Sequence, residues 1–421
     1  MKKLLCLIIV IIIITSYFIL NKKNDEHEIV QEPTFEEKLK ENISDQINIE
    51  KYYVYGNHFN IEGNLLEEMK DLEIKLIFKS ENQEIEYPIL MNELSFSTSN
   101  NINEGILLDT IIPDKYYLLI KTISEEETKY YGIKTTDMKE NEYYTISNSK
   151  KTNKIEIKSD EYMYMEITNT KKPEDIYDIV IDPGHGGKDS GAIYNHKKEA
   201  DFTLSYALSL KEKLEKYGYK IKLTRDKDVT LDSYGKNSRT AISYETKAKY
   251  MFSIHFNSNQ SKLRKNGIEI YAPPHINLDF ASSLANNIVN NLEIDYSSNT
   301  YYRVLNGVYV RTLNSSDINK MKEDAEKLGY TPYDISSDTP YLYMIRETGG
   351  FMTKAFNDGR DPKKNKNDYY DSNIAAEGYL LELSYLNDDN SLNFVLNNQE
   401  KYAEVLAETI HDYIQSNITK E

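Results

Sequence analysis

Ile179-Val180-Ile181-Asp182-Pro183-Gly184-His185-Gly186-Gly187 is the stretch whose reading decides the fold. The apolar run is β-branched and does not alternate, which is the pattern of a parallel strand buried on both faces. Pro183 and Gly184 stop it abruptly. His185 therefore falls in a loop at the C-terminal edge of a sheet, where open α/β folds hold their ligands. Glycines on both sides leave room for something to approach the imidazole. The plain alternative is a histidine in an ordinary tight turn.

Downstream, strand and helix signals alternate, which implies an α/β domain with a twisted, mostly parallel sheet flanked by helices. A helix is expected at 201–217, with Leu204, Ala207, Leu208 and Leu214 on one side and Gly218 as its stop. Strands are expected at Tyr219–Thr224, Tyr250–Ile254 (ending at His255), Gly267–Tyr271 and Tyr379–Leu383. Helices are expected at 238–249, 279–292 and 399–414, a further one near 315–327, and short strands at 307–311 and 341–345. The domain spans 173–421, behind a short polar linker at Lys171–Asp175.

Upstream the texture changes. Residues 50–172 hold short β-rich runs, such as Leu72–Phe78, Tyr116–Thr122 and Tyr162–Ile167, separated by polar turns. That is the pattern of an antiparallel β-sandwich-like domain, and it contains no histidine or cysteine cluster. Residues 22–49 are strongly charged and read as a tether or solvated helix. Residues 1–21 hold an apolar run, Leu4–Leu20, between lysine pairs. Its length is at the lower limit for crossing a bilayer, and no Ala-x-Ala cleavage pattern comes after it, so an uncleaved signal anchor forming a transmembrane helix is favoured over a cleaved signal peptide. A formal charge of −17 argues against nucleic acid as a partner. The single cysteine, Cys6, excludes an intrachain disulfide.

The residues with chemistry gather at strand ends. His185 and His255 each come after a predicted strand, Glu199 opens the first helix, and Glu382 lies inside an apolar strand. A buried carboxylate is costly without a basic partner, a proton or a metal nearby. Arg225, Arg239 and Arg346 are the candidate basic partners of Glu382. Two histidines and one carboxylate form a common ligand set for catalytic zinc, and a second carboxylate can shuttle a proton. The inventory suits metal-assisted hydrolysis of an amide. The separate alternatives are a core histidine at 255, a helix-dipole acid at 199 and an ion pair at 382.

From about 177 to 416 the chain resembles the zinc-dependent N-acetylmuramoyl-L-alanine amidases. The matching stretches are Ile179–Ala192, Lys198–Leu204, Leu223–Asp226, Phe252–Ser258, Met344–Thr348 and Leu380–Asn387, in the family's order. The resemblance implies one zinc ion per domain held by His185, Glu199 and His255, with Glu382 as the acid/base. It points to Arg346 and Asn257 as substrate-binding candidates, with Arg311 a rival to Arg346. One departure stands out: residues 350–376 intervene between the Arg-Glu-Thr stretch and the glutamate strand, and are expected to form a loop near the cleft.

The resemblance further implies a peptidoglycan hydrolase of the cell wall, cutting the amide between N-acetylmuramic acid and L-alanine. The expected place is the cell membrane, single-pass, with the catalytic domain outside and facing the wall. Two alternatives stand beside it. One is a non-catalytic peptidoglycan-binding or regulatory module on the same fold, and the other a zinc hydrolase for another amide. A protein activator is compatible with each.

Overall fold

The computed structural model describes residues 33–99, 105–136, 138, 142–147, 150–232, 238–258, 267–274, 276, 278–327, 337–348 and 374–418. The chain divides into two compact units, Met1–Ile43 and Ser44–Glu421. In the first, a helix at Phe35–Glu41 is opened by a capping box between Thr34 and Glu37. The anchor expected over 1–21 lies outside the described residues. Among the described residues, no helix is long and apolar enough to cross a membrane.

In the larger unit a seven-stranded sheet is built from β1 (Ile179–Pro183), β2 (Ile221–Leu223), β3 (Tyr250–Asn257), β4 (Glu269–Tyr271), β5 (Arg303–Leu305), β6 (Val308–Tyr309) and β7 (Glu377–Tyr385). Their spatial order is β2-β1-β3-β7-β4-β6-β5. The first four run parallel to one another, β4 is antiparallel to β7, β6 is parallel to β4, and β5 is antiparallel to β6. The sheet is therefore mixed: the half bearing the histidines and Glu382 is parallel, and the edge beyond β7 is not.

The helices are α1 (Glu199–Lys216), α2 (Arg239–Glu245), α3 (Asp279–Asn291), α4 (Ser315–Lys327), α5 (Tyr343–Thr348) and α6 (Asp389–Ile418). Successive residues of a strand face opposite sides. Ile179 and Ile181 join the core formed with Leu210, Leu214, Leu406 and Ile410 of α1 and α6, while Val180 packs with Met251 and Met344 on the other face. Every residue of β1 is buried, which explains why its sequence does not alternate.

The β-rich part forms one mostly antiparallel sheet, whose 13 described strands include Ile374–Ala375 from the segment before β7. Its central strand is Lys115–Ile123, paired with Glu73–Lys79, Thr128–Lys134 and Met163–Lys171. The sheet folds back on itself: Phe59 and Phe78 lie on strands that do not pair, yet their rings are 6.0 Å apart in one core.

Four local expectations change. The strand at Tyr250 runs on to Asn257, so His255 lies within it and not after it. The 341–345 run is the start of helix α5, with Met344 and Ile345 buried and Arg346 N bonded to Leu342 O; a short apolar run does not discriminate strand from helix. The charged stretch before residue 50 is strand from Ile43 onward, with Ile47 and Ile49 buried. The polar stretch at 171–175 contains a buried lysine, Lys172, bonded to Asp178. Of the 350–376 insertion, 350–373 lie outside the described residues, and Ile374–Ala375 form a short strand.

Candidate metal and catalytic site

The turn after β1 is made rigid by two buried arginines. Arg239 Nη1 is 2.6 Å from Asp182 Oδ1 and donates to Pro183 O at 2.7 Å, and Nη2 donates to His185 O. Arg225 donates to the carbonyls of Pro183, Gly184 and Ala200 at 3.0, 2.9 and 2.8 Å. Both arginines are thus committed to the turn, and neither is the basic partner of Glu382. Asp182 also accepts from the hydroxyls of Thr224 and Ser253. Burial raises its proton affinity, but the Arg239 charge and these donors prevail and hold it below the ordinary aspartate value.

His185 sits at φ +61°, a left-handed conformation that an L-residue adopts only when its surroundings impose it. The Arg239 bond to its carbonyl is one such constraint. Gly184 is required for a different reason: a Cβ there would lie 2.3 Å from the His255 ring. Gly191 (φ +62°) is required as well, since a Cβ there would come within 2.6 Å of Glu199 Oε2.

Glu199 enters this pocket from the first turn of α1, one strand end away from each histidine. Its Oε1 is 3.1 Å from His185 Nε2, 3.1 Å from His255 Nδ1 and accepts from Phe256 N at 3.0 Å. Its Oε2 accepts from Ala192 N at 2.9 Å. The far side of the His185 ring is held by Asp189, Nδ1 to Oδ2 at 2.8 Å. A carboxylate in that position fixes the ring and its tautomer and leaves Nε2 facing inward.

These three side chains meet a direct test for a metal. One ligand atom from each of His185, Glu199 and His255 falls within 4.8 Å of the others. A tetrahedral zinc ion with bonds of about 2.0–2.1 Å needs ligands roughly 3.3 Å apart, close to the two 3.1 Å separations seen here. The histidine side chains are 22% and 17% exposed against 6% for Glu199, so solvent reaches the open side of the cluster. Burial opposes a charge on His185, yet Glu199 and Asp189 raise its proton affinity. Burial opposes a charge on Glu199 too, but the two histidines hold it well below the ordinary glutamate value. The cluster is thus primed for positive charge.

Glu382 is the register partner of His255 on β7. Its Oε2 is buried and lacks a hydrogen-bond partner. Burial, with Glu199 and Glu269 adding repulsion, pushes its proton affinity well above normal. Glu269, on β4, is opposite Glu382 on the other side. It is fully buried and accepts from Ser297 Oγ at 2.6 Å, Tyr271 Oη at 2.8 Å, Asn299 Nδ2 at 3.3 Å and Tyr385 Oη at 2.5 Å. Two adjacent carboxylates therefore differ sharply: one is saturated with donors and the other has a bare oxygen.

Asn257 ends β3, past a shift in register, and its carbonyl receives Leu386 N at 2.8 Å. Arg346 Nη1 donates to the carbonyls of Pro340 and Tyr341 at 3.2 and 2.8 Å, tying α5 to the segment before it. Arg311 is stacked 3.4 Å from the Tyr341 ring and 5.0 Å from that of Tyr302. Sequence reasoning misses Asp189 and Glu269 as parts of the site, and it names Arg225 and Arg239 as candidate partners of Glu382, whereas the structure commits them to the turn. Asp189 lies just past the glycine run and is within reach of such reasoning, whereas Glu269 is recognisable only once β4 is known to lie beside β7.

Residues 179–324 match the N-acetylmuramoyl-L-alanine amidase family. A 110-residue stretch is 37% identical to the probable cell wall amidase LytH of Staphylococcus aureus, covering 25% of this chain and 34% of that protein. The chain thus spans about a third of the length of the curated relatives it matches. Among solved structures, similarity is found to the amidase AmiC2 of Nostoc punctiforme (21% identity, 58% of this chain and 99% of that one, TM-score 0.37). It is also found to the catalytic domain of the amidase CwlV from Bacillus (Paenibacillus) polymyxa var. colistinus (21% identity, 57% and 99%, TM-score 0.38). The matched segment contains His185, Glu199 and His255 and ends before Glu382. The similarity to the N-acetylmuramoyl-L-alanine amidase family is thus carried by residues 179–324.

Proposed function

We propose that the chain is a zinc-dependent N-acetylmuramoyl-L-alanine amidase, cutting the amide between the lactyl group of N-acetylmuramic acid and the L-alanine of the peptidoglycan stem. The observation that carries this reading is the pairing of a three-donor cluster with a carboxyl on the adjacent strand that has one buried, partnerless oxygen. His185, Glu199 and His255 would hold the metal, and zinc, when bound, supplies a Lewis acid and an acidic water. Asp189 keeps the His185 ring turned inward. Glu382 takes a proton from the attacking water and returns it to the leaving nitrogen. A carboxyl whose proton affinity is raised is suited to both halves of that transfer.

In this reading the apolar run at 4–20 tethers the protein to the cell membrane as a single-pass anchor, with the domain outside, where its substrate is. Asn257 and Arg346 are assigned to the substrate side of the site. The test is cleavage of purified peptidoglycan by the chain with zinc, with chelator, and with Glu382→Gln beside it. Chelator-sensitive release of new L-alanine amino termini without new glycan reducing ends is expected. New reducing ends, or amino termini other than L-alanine, would overturn the substrate assignment and leave a zinc hydrolase of another bond. Zinc binding with no cleavage would support a non-catalytic wall-binding module.

A further inference from the structure

β1, β3 and β7 are consecutive in the sheet and parallel, and they bring His185, His255 and Glu382 to one edge. Traced back to their starts, β1 and β3 are entered through Asp178 and Lys249, the residues just before them, and β7 begins at Glu377. Each of these residues is ionisable and only 2% exposed. They form a row, since Lys249 N donates to Asp178 O at 3.0 Å and Glu377 N donates to Lys249 O at 2.8 Å.

Each member of the row is met by the β-rich region. Lys172 Nζ lies 2.6 and 2.7 Å from the two Asp178 oxygens and donates to Ser147 O at 2.6 Å. The Lys249 ammonium faces the Tyr143 ring at 5.7 Å, and the Asp109 charge acts on it. Gly56, at φ +57°, makes room for Glu377: a Cβ there would be 3.0 Å from Glu377 Cβ. Val54 and Tyr55 pair in parallel with Ile374 and Ala375, the segment that feeds directly into β7. Ile146, whose N–H donates to Asp109 at 2.9 Å, packs inside the core of the seven-stranded sheet.

We propose that the β-rich region is the base of the catalytic sheet. It fixes the starts of the three site-bearing strands and so aligns His185, His255 and Glu382, and it is not an arm that reaches for substrate. An independently hinged module would meet its neighbour through a solvated polar surface. Here Asp178 and Lys172 are buried and paired across the joint. The strands put the base some 15–25 Å from the site at about 3.3 Å per residue, at the opposite edge of the sheet. A stiff parallel strand transmits the position of its start to its end.

The test uses the full chain in detergent, with zinc alone as the probe, so its outcome does not depend on which bond the enzyme cuts. Thermal unfolding is monitored by far-ultraviolet circular dichroism and by tyrosine fluorescence, with and without zinc. One coincident transition, raised as a whole by zinc, is expected. Two transitions of which zinc moves one would overturn the proposal. Lys172→Met, at the joint, is expected to weaken zinc binding about tenfold with all three ligands intact, and Lys172→Arg to restore most of it. Unchanged zinc affinity in a folded Lys172→Met chain would also overturn it. Should that variant not fold, the number of transitions in the unaltered chain still decides.

Discussion

The two edges of one sheet bury ionisable groups for opposite ends. At the starts of β1, β3 and β7, Asp178 is clasped by Lys172 from the neighbouring region, and all three residues are closed off from water. At the finishes, His185 and His255 stay partly open, and Glu382 keeps one oxygen without a donor. A charge buried with its partner can hold a joint together, while a carboxyl buried without one retains its proton and can move it. The same contrast recurs within the site: Glu269 has four donors, and Glu382 beside it has a bare oxygen. Partnering, more than burial, separates Glu269 from Glu382.

The sharpest way to break that distinction is Glu382→Gln. If Glu382 moves a proton, amide cleavage falls by about 10²–10⁴-fold, the usual worth of a general acid/base. Zinc content and unfolding midpoint should not fall, because no hydrogen bond to Oε2 is lost. Activity within tenfold of the parent, by assay of released amino termini, would place Glu382 with the structural group.

Arg239→Met addresses the turn. It strips Asp182 of its cationic partner in a fully buried setting, a change that typically costs about 3–5 kcal/mol. The Thr224 and Ser253 hydroxyls remain but carry no charge. Urea unfolding of the metal-free chain should show the loss. The parent's Asp182 is held below its ordinary value, so its stabilisation is present above about pH 3.8 and is lost as pH falls further. A variant with unchanged midpoint would mean that the arginine serves only the carbonyls of the turn.

Much of this site is legible in the sequence because its residues stand at the ends of strongly patterned strands. The β-branched run before His185, the apolar run before His255 and the odd acid inside Tyr379–Leu383 each mark a place where a parallel sheet presents side chains. The helix-opening Glu199 needs only the neighbouring turn to meet them. The joint is not legible for the converse reason. Asp109, Ser147, Lys172 and Lys249 are scattered through the sequence, and each reads as an ordinary surface residue until β-rich and α/β parts are packed together. Lys172 reads as linker because a lysine pair before a proline looks solvated. The 341–345 run misleads for want of length, since five apolar residues fit a strand or a helix turn equally.

Glu377→Gln tests the other edge. Burial pushes the Glu377 proton affinity up to about pH 7, with Tyr379 Oη as the donor that opposes this. The folded value is raised above the ordinary 4.5, so stability is fully present below about pH 4.5 and is lost as pH rises to about 7. The glutamine keeps the shape without the titration. It should be about 1–3 kcal/mol more stable than the parent at pH 8 and equal to it near pH 4, by urea unfolding across that range. Asp109, raised to about 7 by its own burial, leaves a residual slope of the same sign in both proteins. Lys249, lowered to about 8, opposes it at the alkaline end. Identical pH profiles for parent and variant would mean that Glu377 is not enclosed at the joint.

The smallest effect is expected at Asp189, the one member of the site cluster that is mostly exposed, at 66% for its side chain. Its bond to His185 Nδ1 orients the ring without touching the pocket's centre. Outer carboxylates of this kind typically contribute 10–100-fold to metal affinity, and solvent competition places Asp189 at the lower bound, about tenfold. Asp189→Ala should therefore weaken zinc binding about tenfold in a competitive chelator titration, and leave cleavage at saturating zinc within a few fold of the parent. Gly191 N also loses its bond to Asp189 Oδ1, so Asp189→Asn, which keeps an acceptor there, separates the two roles. If the asparagine restores full affinity, the loop geometry was what mattered. If it stays weak, it is the carboxylate's hold on His185 that sets the ring for the metal.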